Sequence, residues 1–232
     1  MRPDSLFWIE IMEDSRRRRS LVFKFALPVA LVLPLSLADV PVELKHATLP
    51  LLVLFMGVLG SSVGLSSLRE RGMLERLSTL PVTPAKMVSD YVMANVAMDA
   101  LQIMLPAVIL FVALEAGALA IAYTAIGLVL CILISNSLGV LMAIAARGAG
   151  EVHLYSGVCV LLVGGVSGLF MGNAEGLMDA IQTGLPFSLV SSVLSGMTEG
   201  EGIHLIASAA VTVLVLAGAI GCSASLFKGK EG

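Results

Sequence analysis

The sequence predicts an all-α protein that crosses a membrane several times, and three observations carry that prediction. Of the 232 residues, 57% are hydrophobic and only 13% are charged, where an ordinary soluble domain carries about 25% charge. The apolar residues fall in long unbroken runs, whereas the strands of a membrane barrel alternate over segments of about ten residues. The cations are confined to one set of connections. This composition excludes a soluble enzyme, a nucleic-acid binder and a disordered chain.

Residues 1–20 open the chain with Phe7, Trp8, Ile11 and Met12 on one helical face and Glu10, Asp14 and Arg17 or Arg18 opposite. Two readings stand for this stretch, an amphipathic helix lying on the membrane surface and a solvated basic tail. The first apolar run, Leu21–Ala38, contains Pro28 and Pro34. Ser36-Leu37-Ala38 has the small residues of a signal-peptide cleavage site. The run is longer than a usual signal core and follows a long, acid-bearing segment, so a retained span is expected. Further runs cover Thr48–Ser67, Ser89–Leu114, Ala118–Ala146, Val152–Met171 and Ile203–Phe227, each long enough at about 20 residues to cross.

With six spans, Arg2, Arg16–Arg19, Lys24, Arg69, Arg71, Arg76, Lys86, Arg147, Lys228 and Lys230 share one side, and Lys45 alone falls on the other. Positive charge marks the cytoplasmic side, so both termini are expected there, in a plasma-membrane protein. Residues 172–202 are the longest outer segment and carry no Lys or Arg. They are too apolar for a plain loop, and a seventh span would bury Asp179 and Gln182. Two short helices dipping into the outer leaflet and broken around Gly184-Leu185-Pro186 are expected instead.

Chemistry-bearing motifs are few. No G-x-x-x-x-G-K-[ST] occurs, so the chain has no phosphate-binding loop of that kind. No H-E-x-x-H occurs, and His46, His153 and His204 are scattered, so no metal site is expected. Cys131, Cys159 and Cys222 lie in apolar runs and read as small buried residues.

The cytoplasmic stretch between the second and third runs is more specific: Arg69-Glu70-Arg71-Gly72-Met73-Leu74-Glu75-Arg76-Leu77-Ser78-Thr79-Leu80-Pro81-Val82-Thr83-Pro84. Met73, Leu74, Leu77 and Leu80 share a helical face with charges opposite, Pro81 stops the helix, and Thr83-Pro84 reads as the cap and first turn of the third span. Such a helix along the membrane suits the docking of a partner; an ordinary connection between spans is the plainer reading.

Within the spans, Asn95, Asp99 and Gln102 fall on one face of the third helix. An ionisable residue at membrane depth points to function. Contact with a transported molecule and a hydrogen bond to a neighbouring helix are both open for Asp99. Ser135-Asn136-Ser137 in the fourth span is the candidate polar cluster to face it. Gly60 and Gly64, and the series Gly164, Gly168 and Gly172, have the spacing that lets helices approach closely, within one chain or across a dimer axis.

Taken together, the amphipathic start, two spans, the E-R-G-M-L-E-R-L-S-T-L-P-V-T-P segment, the remaining spans and the Leu185-Pro186-Phe187-Ser188 hairpin resemble the permease subunits of the type-2 ABC transporter family, over nearly the whole chain. The resemblance implies that residues 69–80 form a coupling helix, with Arg69, Glu70, Arg71, Leu74, Glu75, Arg76 and Leu77 engaging a separate ATPase subunit. It implies that Phe7–Arg19 is a connecting helix and residues 174–198 an outer gate-like hairpin, on one domain spanning 21–232. The chain itself would be no enzyme and hold no cofactor, ATP and Mg being bound by the partner. Two permeases, identical or different, would pair. Alternating access would export an amphipathic or lipid-like molecule, with a polysaccharide or haem exporter of the same family as alternatives. A membrane scaffold and an intramembrane enzyme using Asp99 are the alternatives of another class.

Overall fold

The computed structural model describes residues 18–74, 82–170, 177–196 and 201–226. All regular structure among them is helical. The elements are α1 (Arg18–Leu37), α2 (Val42–Glu70), α3 (Pro84–Ala113), α4 (Ala118–Ala145), α5 (Ala149–Val166), α6 (Leu177–Thr183), α7 (Pro186–Leu194) and α8 (Glu201–Gly221), the last followed by a 3₁₀ turn, Cys222–Leu226. Among the described residues, five helices are long and apolar enough to cross a membrane: α2, α3, α4, α5, and the stretch Gly202–Ala224 built on α8. The chain is therefore an all-helical, multi-pass membrane protein.

The first apolar run differs from the expectation of a full span. Within α1 the stretch Lys24–Leu37 is an apolar helix shorter than those five. The fifth helix also ends earlier than its apolar run. Gly168 takes φ +74°, a left-handed conformation that a glycine adopts without cost, and residues 167–170 form a turn after Val166.

The outward surfaces are what lipid requires. Ile203, Ile206, Val213 and Leu214 of α8 are 63–73% exposed, and Leu101, Met104, Leu105 and Val108 of α3 are about half exposed or more. Water would penalise such stripes; acyl chains do not.

α2 is the hub. It packs along α4, and also against α3, α5 and α7, while α1 lies mainly on α3. Small residues set the α2–α4 distance. A Cβ on Gly139 would stand 2.6 Å from the Val58 carbonyl oxygen and 2.9 Å from Ser61 Cβ. A Cβ on Gly57 would collide with Ser135 Cβ. α7 plugs into the bundle with Phe187, Leu189, Val190 and Val193 buried, seated against Gly127 of α4, where a Cβ would stand 2.7 Å from Val190 Cγ2. Pro186 starts α7 at a position where a missing N–H costs nothing.

Candidate functional site: a cavity with one polar wall

α3 begins where its sequence says. Thr83 is the N-cap, its hydroxyl accepting from Lys86 N–H at 3.3 Å, and Pro84 follows in the first turn. From there Asp99 is the sixteenth of thirty residues, about 22 Å along the helix and so near the middle of an apolar helix long enough to cross a membrane.

Placing a carboxylate there costs about 2.5–3.5 kcal/mol. The structure offsets part of that cost with a hydrogen bond from the neighbouring helix: Asn136 Nδ2 donates to Asp99 Oδ2 at 2.8 Å, and also to the Ile132 carbonyl at 2.8 Å. Ser61 of α2 donates its hydroxyl to Asn136 Oδ1, and the Tyr91 hydroxyl donates to the Ser61 carbonyl at 2.9 Å. Three helices are thus joined at one polar node. A hydrogen bond to a charged group contributes about 1.5–3 kcal/mol, comparable with the cost of burial.

Asp99 does not only hold helices together. With Asn95 and Gln102 it lines a cavity of about 850 Å³ between α1, α2 and α3, within the size range of small-molecule sites. The opposite walls are apolar: Leu27 and Leu31 of α1, and Phe55, Leu59 and Val63 of α2. Lys24 and Arg71 lie at one end, Leu35, Leu44 and Thr48 at the other. The cavity exists because α1 rests on α3 and only lightly touches α2, leaving a wedge between them. Gln102 is 4% exposed. Asn95 donates Nδ2 to the Tyr91 carbonyl at 2.9 Å.

The glycines divide by face. Gly60 lines the cavity, with nothing within 4 Å of where its Cβ would be. Gly64 also lines it and leaves room for the Tyr91 hydroxyl, with which a Cβ would collide. Gly164 accommodates the Phe170 ring, 2.6 Å from where a Cβ would stand, and Gly168 forms the turn beyond α5. So within this chain neither glycine series carries a helix–helix contact through the whole motif; Gly172 lies outside the described residues. The close approach belongs to Gly57, Ser61, Ser135 and Gly139, missed in the sequence although Gly57-x-x-x-Ser61 and Ser135-x-x-x-Gly139 are small-residue pairs at the spacing of one helix face.

Among the expected coupling residues, Arg69 and Glu70 close α2. Gly72 at φ +66° turns the chain in a left-handed cap, and its N–H donates to the Arg69 carbonyl at 3.0 Å. Met73 and Leu74 are helical again, Leu74 being buried at 6% exposure. Arg69 has a use inside the fold: it donates to the carbonyls of Ala146 at 2.9 Å and Ala143 at 2.6 Å. A cation there satisfies acceptors left open at the end of α4 and opposes its negative dipole end. Glu75, Arg76 and Leu77 lie outside the described residues, as do residues 1–17 of the expected surface helix and the ends of the 174–198 hairpin.

Cys131 and Cys159 are buried, whereas Cys222 is exposed, contrary to the reading of all three as buried. Compared with protein-family models and with curated protein sequences, the chain matches none.

Proposed function

We propose that the chain is the membrane-spanning permease subunit of an ATP-driven exporter of the type-2 ABC kind. It moves a lipid-like or amphipathic small molecule by alternating access while a separate subunit hydrolyses ATP. The observation that supports this reading is the cavity of about 850 Å³, apolar on two walls and polar on the third. Such a chamber suits a molecule that is greasy over most of its surface and polar at one place. A scaffold has no use for it.

In this reading α1 makes the sixth crossing. That keeps Lys24, Arg69, Arg71, Lys86 and Arg147 on one side with Lys45 opposite, as the cytoplasmic bias of cations requires. Both termini are then cytoplasmic in the plasma membrane. α6 and α7 form the outer hairpin, and residues 69–80 dock the ATPase. The Arg69 contacts with α4 give that segment a grip on the helix carrying Asn136. A push on the docking segment is thereby delivered to the polar node beside the cavity.

The test is purification of the tagged permease from its own host. An ATP-binding protein is expected to co-purify. Charge reversal at Arg71, Glu75 and Arg76 is expected to abolish that association while the permease still inserts, since like charges juxtaposed at an interface cost several kcal/mol and exposed charges contribute little to folding. Intact association and transport in the triple reversal would remove the docking assignment.

A further inference from the structure

The sign of charge that the cavity accepts can be read from its walls. Gln102 carries the first clue. It is 4% exposed, lines the cavity and makes no hydrogen bond to any described residue. Buried amides are nearly always satisfied, so a molecule in the cavity is the natural partner. Asn95 gives the second. Its Nδ2 donates one hydrogen to the Tyr91 carbonyl, and its carbonyl oxygen is an acceptor that a ligand can use. Asp99 gives the third: it is the one carboxylate among the described residues lining the cavity, and a carboxylate is an acceptor with two oxygens. Asn95, Asp99 and Gln102 thus stand along one face of α3, about a turn apart, with the carboxylate between two amides whose carbonyl oxygens can also accept.

We propose that this cavity binds a single-chain amphiphile bearing a positively charged ammonium group. The ammonium sits on the Asp99 carboxylate with the carbonyls of Asn95 and Gln102 beside it, and the chain lies against Leu31, Phe55 and Leu59. Attraction between unlike charges is strong at this depth because little water screens it. Lys24 and Arg71, at one end of the cavity, repel the same cation and so direct it toward Asp99. Those two cations stand where the cytoplasmic bias alone would put them, whereas a carboxylate halfway along a span has no such explanation. The ammonium class deepens the export reading and rests on it for its biological sense; the binding itself needs no ATPase.

The experiment uses the full-length permease alone in nanodiscs of phosphatidylglycerol, a lipid without an ammonium group. Saturable binding of radiolabelled dodecyltrimethylammonium is measured above empty nanodiscs, with dodecanol and dodecyl phosphate as competitors. Asp99→Asn keeps an oxygen for Asn136 Nδ2 and removes only the charge. It is expected to weaken dodecyltrimethylammonium binding at least about tenfold and to leave competition by dodecanol at the same concentration. Gln102→Leu, which leaves Asp99 in place, is expected to weaken binding about threefold and serves as the second variant should Asp99→Asn fail to fold. Wild-type affinity in Asp99→Asn, or in Gln102→Leu where Asp99→Asn cannot be made, would overturn the proposal. So would tighter binding of dodecyl phosphate, lost in Lys24→Gln and Arg71→Gln. Displacement of the probe by phosphatidylethanolamine added to the bilayer at its equimolar level would overturn the single-chain assignment in favour of a two-chain lipid. Failure of any ATPase to co-purify would remove the export reading and leave this binding result standing.

Discussion

Two faces of α2 carry nearly the same kind of sequence and do opposite things. On one, Gly57 and Ser61 bring α4 so near that a Cβ on Gly57 would collide with Ser135 and one on Gly139 would stand 2.6 Å from a carbonyl oxygen. On the other, Gly60 has nothing within 4 Å and borders open space. A small residue makes close packing possible but does not cause it; the partner helix must be there to use the gap. On the first face α4 is there. On the second, α1 is held away by its seat on α3, and the gap becomes a chamber. Polar residues divide the same way. Ser61 on the packed face donates to Asn136, while Gln102, across the cavity, makes no hydrogen bond to any described residue.

The sharpest way to break this contrast is to enlarge a glycine on each face. Gly139→Leu forces a side chain into a carbonyl group and is expected to abolish folded yield, since overpacking alone costs about 1–3 kcal/mol and more where backbone cannot retreat. Gly60→Leu points into the chamber. It is expected to leave yield and melting temperature in nanodiscs within error of wild type and to reduce ligand binding. Equal stability loss in the two variants would mean that both faces are packed.

The polar node tests the same division. Asn136→Leu removes the donor to Asp99 Oδ2 and the acceptor for Ser61. Losing a hydrogen bond to a charged group costs about 1.5–3 kcal/mol and losing one between neutral groups about 0.5–1.5 kcal/mol, so thermal unfolding of the purified protein is expected to fall by several degrees. Asn95→Leu removes a group of the open face, whose side-chain hydrogen bond runs to Tyr91 of its own helix. It is expected to shift the melting temperature by much less. A larger loss in Asn95→Leu than in Asn136→Leu would reverse the assignment of the two faces.

A smaller effect is expected at the base of α2. Arg69→Gln retains one donor for the two carbonyls at the end of α4 and loses the favourable interaction with the helix end, about 0.3–1 kcal/mol, plus part of one charged hydrogen bond. Arg71→Gln, exposed at the mouth of the cavity, is expected to change stability by less than about 0.5 kcal/mol. Chemical denaturation in mixed micelles distinguishes them. Identical midpoints would mean that the Arg69 contacts add nothing to the fold.

What could be read without the fold is local in origin. The helices α2, α3 and α4 follow from apolar runs that fill about 20 residues or more, and the start of α3 follows from Thr83-Pro84, whose capping chemistry is complete within four residues. Asn95, Asp99 and Gln102 were legible as one face because helical spacing alone puts them there. That Asn136 meets Asp99 was half legible. The Ser135-Asn136-Ser137 cluster was the evident partner, but the height of α4 against α3 depends on the turn at 114–117 and on every contact along the pair. Arg69 gave no signal at all. Its spacing matches a surface charge, and only the arrival of the end of α4 beside it turns it into a cap.

The sequence by itself thus determined that the chain is a helical membrane protein, where α3 and α4 begin, and which residues of α3 share a wall, because each of these depends on burial in lipid or on neighbours within a few residues. Only the tertiary structure decided which small residues pack and which open a cavity, and that Asp99 serves a helix contact and a chamber at once. Those outcomes depend on the distance between helices far apart in the chain. That distance is set by the sum of many side-chain contacts, such as α1 resting on α3 rather than on α2, and no single stretch of sequence contains it.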